Sequence, residues 1–182
     1  MNIIPKPQKI ILYEGTISAV SLYFHEQCEY TEFLKENLCV PFGRKEESLC
    51  LLCVKDEKTV YEKFPQNRRK DAYILTVKKG EITLYYSSYS GFLNGAAVIK
   101  QLFMELATGK NKVKLSECVI YDSSKYSYRG LLVDCARHFI PVAELKQTIK
   151  MMWLYKLNYL HLHLTDDQGW SCLLYTSPSP RD

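Results

Sequence analysis

No run of apolar residues in this chain approaches the ~20 that an α-helix needs to cross a bilayer, so the sequence predicts no membrane partner. The opening stretch, MNIIPKPQKIILYEG, lacks a basic n-region, a long apolar segment and a small-residue cleavage site. Charge of one sign is also scarce: 24 Lys and Arg stand against 20 Asp and Glu, leaving a net +4 spread over mixed runs such as Arg44-Lys45-Glu46-Glu47. Arg68-Arg69-Lys70 is short and reads as a solvated turn. Lys110, Lys112 and Lys114 alternate with other residues and read as one solvated strand face. Neither supports a nucleic-acid partner. The seven cysteines form no evenly spaced framework. Cys50 and Cys53 make a CxxC without a second pair or a histidine partner, and on a strand positions three apart point to opposite faces. They read as buried, reduced thiols, and the expected location is cytoplasmic.

What is present is apolar and aromatic: 47% and 13% of 182 residues, enough to bury a core. The length accommodates one domain, or one domain with part of another. In the first region, residues 1–125, strands are predicted at Lys9 to Tyr13 and Thr16 to Tyr23, separated by a Glu14-Gly15 turn. A helix follows over Glu26 to Leu38, then a buried strand over Ser48 to Val54. Ala72 to Val77 and Glu81 to Tyr86 form a hairpin around Lys79-Gly80. Ser90 to Leu106 carries Phe92, Ala96, Ile99, Leu102 and Phe103 on one helical stripe, with Gly91 and Gly95 permitting close packing and Gly109 in the capping position. Glu117 to Tyr121 is a last strand, and Asp122 to Lys125 a polar boundary. This is a small α+β domain, and its residues name no chemistry.

The stretch from Tyr128 to Trp170 is different. An apolar run, Gly130 to Val133, ends in Asp134, Arg137 and His138. A helix over Pro141 to Leu157 follows, with Pro in its first turn and a stripe of Val142, Leu145, Ile149, Met152 and Trp153. A second apolar run, Tyr159 to Leu164, ends in Thr165, Asp166 and Asp167. Strand, helix, strand at this length is one βαβ unit with parallel strands, and its consecutive apolar residues predict burial on both faces. Ligands bind at the carboxyl ends of such strands, where both polar clusters lie.

Beyond Trp170 the character changes. CLLYTSPSPRD, from Cys172 to Asp182, has no periodicity and two Ser-Pro steps. It is similar to the in-frame translation of a transposase adapter used in preparing sequencing libraries, and Ser171 reads as a hybrid codon. Residues 171–182 are therefore expected to be foreign to the natural protein, which is expected to continue past Trp170.

The segment RGLLVDCARHFIPVAELKQTIKMMWLYKLNYLHLHLTDDQGW, Arg129 to Trp170, resembles the start of the catalytic barrel of family 20 glycoside hydrolases, the β-N-acetylhexosaminidases. YSGFLNGAAVIKQLF, Tyr89 to Phe103, is similar to the helix of the α+β domain that precedes that barrel. The resemblance implies an α+β N-terminal domain (1–125) followed by the first βαβ unit (126–170) of a truncated (β/α)₈ TIM barrel, whose full extent takes about 250 residues. It implies a parent enzyme that hydrolyses terminal N-acetylglucosamine or N-acetylgalactosamine, without a cofactor. Its mechanism would be substrate-assisted, the acetamido oxygen attacking the anomeric carbon. The family's adjacent catalytic Asp and Glu fall after a later strand, so this fragment is expected to be inactive.

Each site residue carries two readings. By the resemblance Arg137 grips hydroxyls of the terminal sugar; by its chemistry alone it is a loop arginine in a surface ion pair. Asp166 supports the catalytic acid by resemblance, and a DD after a strand otherwise serves as a helix cap or turn, as Asp167 also could. His161 and His163 point the same way on a strand, as core histidines of a barrel or, in an alternative reading, as the His-x-His ligands of a metal-dependent hydrolase near Asp166. His163 is otherwise a supporting residue. Asp134 either orients the Arg137-His138 loop or caps it. Trp170 would line the sugar site, and Arg129, at the opposite strand end, is structural. A third reading is a non-enzymatic carbohydrate-binding module, for which the second region would leave strand edges bare.

Overall fold

Lys79 and Gly80 both take positive φ, 48° and 81°, the pairing that a tight two-residue hairpin turn requires. They join the two central strands of the first unit in the computed structural model, which describes residues 3–46, 48–107 and 110–165. These strands are β4 (Tyr73–Lys78) and β5 (Glu81–Tyr86), antiparallel with Lys78 opposite Glu81. The remaining strands are β1 (Lys9–Ala19), β2 (Leu22–Phe24), β3 (Leu49–Lys55) and β6 (Val113–Asp122). The six lie in the order β1-β6-β4-β5-β3-β2. Only the β5-β3 and β3-β2 pairings are parallel.

Helix α3 (Tyr89–Leu102) packs on β4 and β5. Its first turn is capped by Ser88, whose Oγ accepts the Gly91 N–H and itself donates to the Lys70 carbonyl. Both expected close approaches occur. A Cβ on Gly91 would sit 2.3 Å from the Ala72 carbonyl oxygen, and one on Gly95 would sit 2.2 Å from Leu84 Cδ1. A second apolar cluster joins Val60, Phe64, Ala72, Ile74 and Val119, with Tyr61, Tyr85 and Tyr121 packed against it.

Several elements depart from expectation. The predicted Glu14-Gly15 turn is a bulge inside one long strand: Leu12 pairs with Cys118 and Thr16 with Ser116, so three residues oppose Glu117 alone. Both halves pair with the same β6, which keeps the strand continuous, and Gly15 at φ 138° supplies the distortion. Helix α1 spans only Thr31–Asn37. The Thr31 hydroxyl accepts the Cys28 N–H and donates to the Cys28 carbonyl, a local bond that competes with helix at the predicted start. Helix α2 (Glu57–Lys63) escaped the apolar periodicity because Val60 is its one buried residue. Its signal was the cap: Asp56 accepts the Thr59 N–H at 3.0 Å.

The Arg68-Arg69-Lys70 turn is a 3-10 helix (Gln66–Asp71), and Arg69 is more than solvated. Its guanidinium donates to the carbonyls of Tyr61 and Phe64 at the end of α2 and lies 4.8 Å from the Tyr61 ring. The predicted second helix breaks at Phe103, leaving a short α4 (Met104–Ala107), while Gly109 lies outside the described residues. Of the three alternating lysines, Lys114 lies within β6 and is exposed; Lys110 and Lys112 precede the strand. Asp122 is not boundary but interior: buried, it accepts from the Tyr73 hydroxyl at 3.1 Å and the Gln8 N–H at 3.2 Å.

Two compact units divide the chain, Met1–Lys125 and Tyr126–Asp182. In the second, β7 (Gly130–Asp134) and β8 (Tyr159–His163) pair in parallel, joined through α5 (Val142–Leu154). Helix α5 starts after Pro141 and ends in a Schellman arrangement: Leu157 N–H donates to Met152 O and Lys156 N–H to Trp153 O, with Lys156 at φ 60°. The expected stripe is used in part. Met152 is buried and Leu145 and Trp153 half-buried, whereas Val142 is 67% exposed and Ile149 51%. Nor are both strand faces covered: Leu131, Val133, Leu160 and Leu162 alternate with the more exposed Leu132, at 58%, and Tyr159 and His161. Two strands form too narrow a sheet for one helix to shield on both sides. Among the described residues no helix is long and apolar enough to cross a membrane.

Candidate functional site

The parallel register of β7 and β8 sets Asp134 directly beside His163, the last residue of each strand. The ladder continues one step further, as the Cys135 N–H donates to the His163 carbonyl at 2.9 Å. Beyond Asp134 the chain turns back over the carboxylate. Oδ1 accepts the N–H groups of Ala136 and Arg137, each at 3.1 Å. Oδ2 lies 3.1 Å from Arg137 Nη1, and Oδ1 lies 3.4 Å from His163 Nδ1. One carboxylate thus meets a folded loop, a guanidinium and an imidazole.

The backbone N–H of Arg137 holds the Asp134 carboxyl below its ordinary value of 3.8, against the opposing cost of desolvation; the charges of Arg137 and His163 and the Ala136 N–H add to the lowering. The Arg137 side chain is 75% exposed while that of Asp134 is 26% exposed, so the ion pair joins a solvent-facing cation to a more sheltered carboxylate. A planar fork of donors in that setting suits neighbouring hydroxyls.

The opposite strand ends are tied by different groups. Arg129 N–H donates to Asn158 Oδ1 at 2.9 Å, and Asn158 N–H returns to the Arg129 carbonyl at 2.9 Å. The Arg129 guanidinium donates to the carbonyls of Lys156 and Tyr126, and the Asn158 amide to the Ser127 carbonyl. Arg129 therefore joins backbone at the foot of the strands, away from Asp134. Between, Tyr128 folds over Gly130, where a Cβ would come 2.4 Å from its hydroxyl, and stacks on Tyr159 at 4.7 Å.

Sequence-predicted residues separate accordingly. Arg137, Asp134 and His163 are brought together. His161 shares the strand face of His163 but is exposed and stands opposite Leu132. His138 is exposed in the loop. Asp166, Asp167 and Trp170 lie outside the described residues. Among the described residues no three His, Cys, Asp or Glu side chains gather as a metal would need, and the third ligand of that alternative, Asp166, is not among them. An adjacent Asp56-Glu57 pair exists in the first unit, where Asp56 caps α2 through Thr59.

Two relationships were not legible beforehand. The link of Asp134 to His163 needs the strand register, which no linear spacing states. Cys53, whose strand position the CxxC reading addressed, hydrogen-bonds Cys28 rather than pairing with Cys50. That bond lowers the Cys28 thiol to about 6, and the same bond, with burial, pushes Cys53 up. All six described cysteines are free thiols; Cys50 is buried and Cys53 half-buried.

Residues 126–179 match the family model described as glycosyl hydrolase family 20, catalytic domain; the interval includes part of the tail after Trp170. The chain is 47% identical over 100 residues to a β-hexosaminidase of Akkermansia muciniphila, covering 55% of this chain and 20% of that protein. It is 29% identical over 166 residues to the human β-hexosaminidase subunit beta, covering 91% of this chain and 27% of that protein. Among solved structures it is similar to an exo-β-N-acetylglucosaminidase of Vibrio harveyi in complex with N-acetylglucosamine, with a TM-score of 0.70 and 26% identity over 92% of this chain and 26% of that one. The chain spans about a fifth to a quarter of the length of these relatives.

Proposed function

We propose, from the premise that this chain belongs to glycosyl hydrolase family 20 through residues 126–179, that it is part of an exo-acting β-N-acetylhexosaminidase. The substrate is a glycan ending in N-acetylglucosamine or N-acetylgalactosamine. The reading takes β7, α5 and β8 as the first βαβ unit of a (β/α)₈ barrel, with Leu132, Asp134, His161 and His163 on the face that would line its interior.

The observation that carries the reading is the delivery of Arg137 to the carboxyl end of a parallel strand pair, where it contacts Asp134. There its donors meet hydroxyls of the terminal sugar. Asp166 would support the acid that protonates the leaving oxygen, His163 would help to order that rim, and Trp170 would line the sugar. The acetamido oxygen of the substrate serves as the nucleophile, giving retention through an oxazolinium intermediate. The acid and its neighbouring Asp belong to a later barrel strand, so residues 1–182 alone would lack the proton donor.

Residues 171–182 are read as adapter-derived. Sequencing genomic DNA across the Trp170 codon tests that: a genome that encodes CLLYTSPSPRD and a stop would refute it. The function is tested on the gene product carried to its natural stop codon. Release of a chromophore from an N-acetyl-β-glucosaminide or galactosaminide supports it, and silence on both overturns it. A chelator leaves that activity intact, whereas loss with stoichiometric zinc would favour the metal-dependent alternative.

A further inference from the structure

We infer that Cys28 and Cys53 are a modification site, where a small-molecule disulfide oxidises the two thiols to a bond that fastens the entry of α1 to β3. The pair lies within the first unit and does not depend on the sugar chemistry of the second.

The thiols stand 25 positions apart in sequence, and contacts on either side of Cys28 bring them together. After β2 the backbone keeps following β3, and the His25 N–H donates to the Leu51 carbonyl at 3.4 Å. Further on, Tyr30 packs on Tyr86 and Phe92, with ring centroids 6.2 and 4.4 Å away. On β3, Cys53 stands beside Leu84 of β5, whose side chain lies under Gly95 of α3, so Cys53 faces the α3 side of the sheet. Tyr86, two residues beyond Leu84, lies on that same face. The turn between His25 and Tyr30 therefore carries Cys28 to Cys53, and the two side chains hydrogen-bond. Cys50, three residues back on β3, faces the other way and hydrogen-bonds Tyr23.

The two sulfurs take different parts. The Cys53 bond, with the Tyr30 N–H and the Thr31 hydroxyl at 3.7 Å, outweighs burial and holds Cys28 largely as thiolate, the attacking form. Cys28 Sγ attacks one sulfur of the external disulfide, forming a mixed disulfide and expelling the other half as a thiolate that takes up a proton. The hydrogen bond to Cys28, with burial and the Cys28 charge, had pushed Cys53 up; capping Cys28 removes that bond and that charge. Cys53 then gives its proton to solvent and attacks Cys28 Sγ, expelling the second half, which is protonated in turn. Two protein thiols are oxidised, and one external disulfide is reduced to two thiols.

The probe is oxidised glutathione, added at about pH 7 to the gene product carried to its natural stop codon, quenched in acid and digested without reduction. A peptide joining Cys28 to Cys53 should accumulate, with a glutathione adduct on Cys28 appearing only in passing. In Cys53→Ser that adduct should persist, since the resolving thiol is gone, whereas Cys50→Ala should leave the yield of the joined peptide unchanged. A parent whose Cys28 adduct persists as it does in Cys53→Ser, or whose Cys28 links instead to Cys39 or Cys50, overturns the proposal. A melt of the parent before and after oxidation needs no variant. Closing a chain loop of this size within an accommodating fold should raise the melting temperature by about 5–10 °C, reversed by a dithiol reductant. An oxidised form that melts no higher than the reduced one would show that the fold does not hold the two sulfurs for this bond.

Discussion

Arg129 and Asn158 hold each other at the foot of β7 and β8, each donating a backbone N–H to an oxygen of the other at 2.9 Å. The Asn158 amide donates in addition to Ser127, so this one side chain closes the entrance to both strands. Truncation in Asn158→Ala removes two of these bonds in a solvent-accessible place. A loss of about 1 kcal/mol is expected, at the modest end for hydrogen bonds. Hydrogen exchange should report it as faster exchange in Gly130–Asp134 and Tyr159–His163; unchanged protection there would refute the role.

Gly91 and Gly95 differ in what a methyl group would meet. At Gly91 the obstacle is the Ala72 backbone carbonyl, which cannot move without shifting β4; at Gly95 it is the end of the Leu84 side chain. Both alanine variants should be destabilised by roughly 1–3 kcal/mol through overpacking, Gly91→Ala more than Gly95→Ala. Denaturant melts of the two variants rank them, and the reverse order would contradict the packing described.

Cys28, lowered to about 6 by the Cys53 hydrogen bond, is largely thiolate at neutral pH, while burial raises Cys118 to about 11. Iodoacetamide at about pH 7 should therefore modify Cys28 well before Cys118. Peptide mapping over time reads the order. Equal rates, or a Cys28 rate still climbing above about pH 8, would show the thiol unshifted.

The Asp134 carboxyl titrates lower in the folded chain than its ordinary 3.8, so the charged form stabilises the fold. That contribution is complete above the unfolded value and is lost as pH falls through the folded one. The stability gap between parent and Asp134→Asn should be constant from about pH 7 to pH 5 and close below the ordinary carboxylate range. Arg137 and His163 face this group, so the melts are compared pairwise at each pH. A gap that persists unchanged in strong acid would rule out the carboxylate as its source.

Residues 1–182 expressed alone should be ordered unevenly. Strands β4 and β5 are largely buried, whereas Leu132, Val142 and Ile149 of the second unit are each more than half exposed. Slow exchange in the first unit with fast exchange and dye binding in the second is expected. Uniform, cooperative protection across both would favour a self-sufficient binding module.

Much of this was readable from the chain. The hairpin at Lys79-Gly80, the glycine-lined helix and the βαβ unit all follow from local rules of turn chemistry and periodicity, which act over a few residues. The resemblance of Arg129 to Trp170 pointed to the family whose model matches residues 126–179. Local rules failed where a distant partner decided the outcome. Glu14-Gly15 reads as a turn until β6 pairs with both sides of it, and Asp122 reads as a linker until Tyr73 and Gln8 enclose it.

The residue types at the strand ends, a carboxylate, a guanidinium and an imidazole, were set by sequence alone, as was the alternation that puts His161 and His163 on one face. Which of them meet was decided only in three dimensions. Asp134 and His163 are 29 positions apart and become neighbours through a backbone register that depends on α5 returning the chain in parallel. Hydrogen-bonded pairing is a relation between strands, and no single strand contains it.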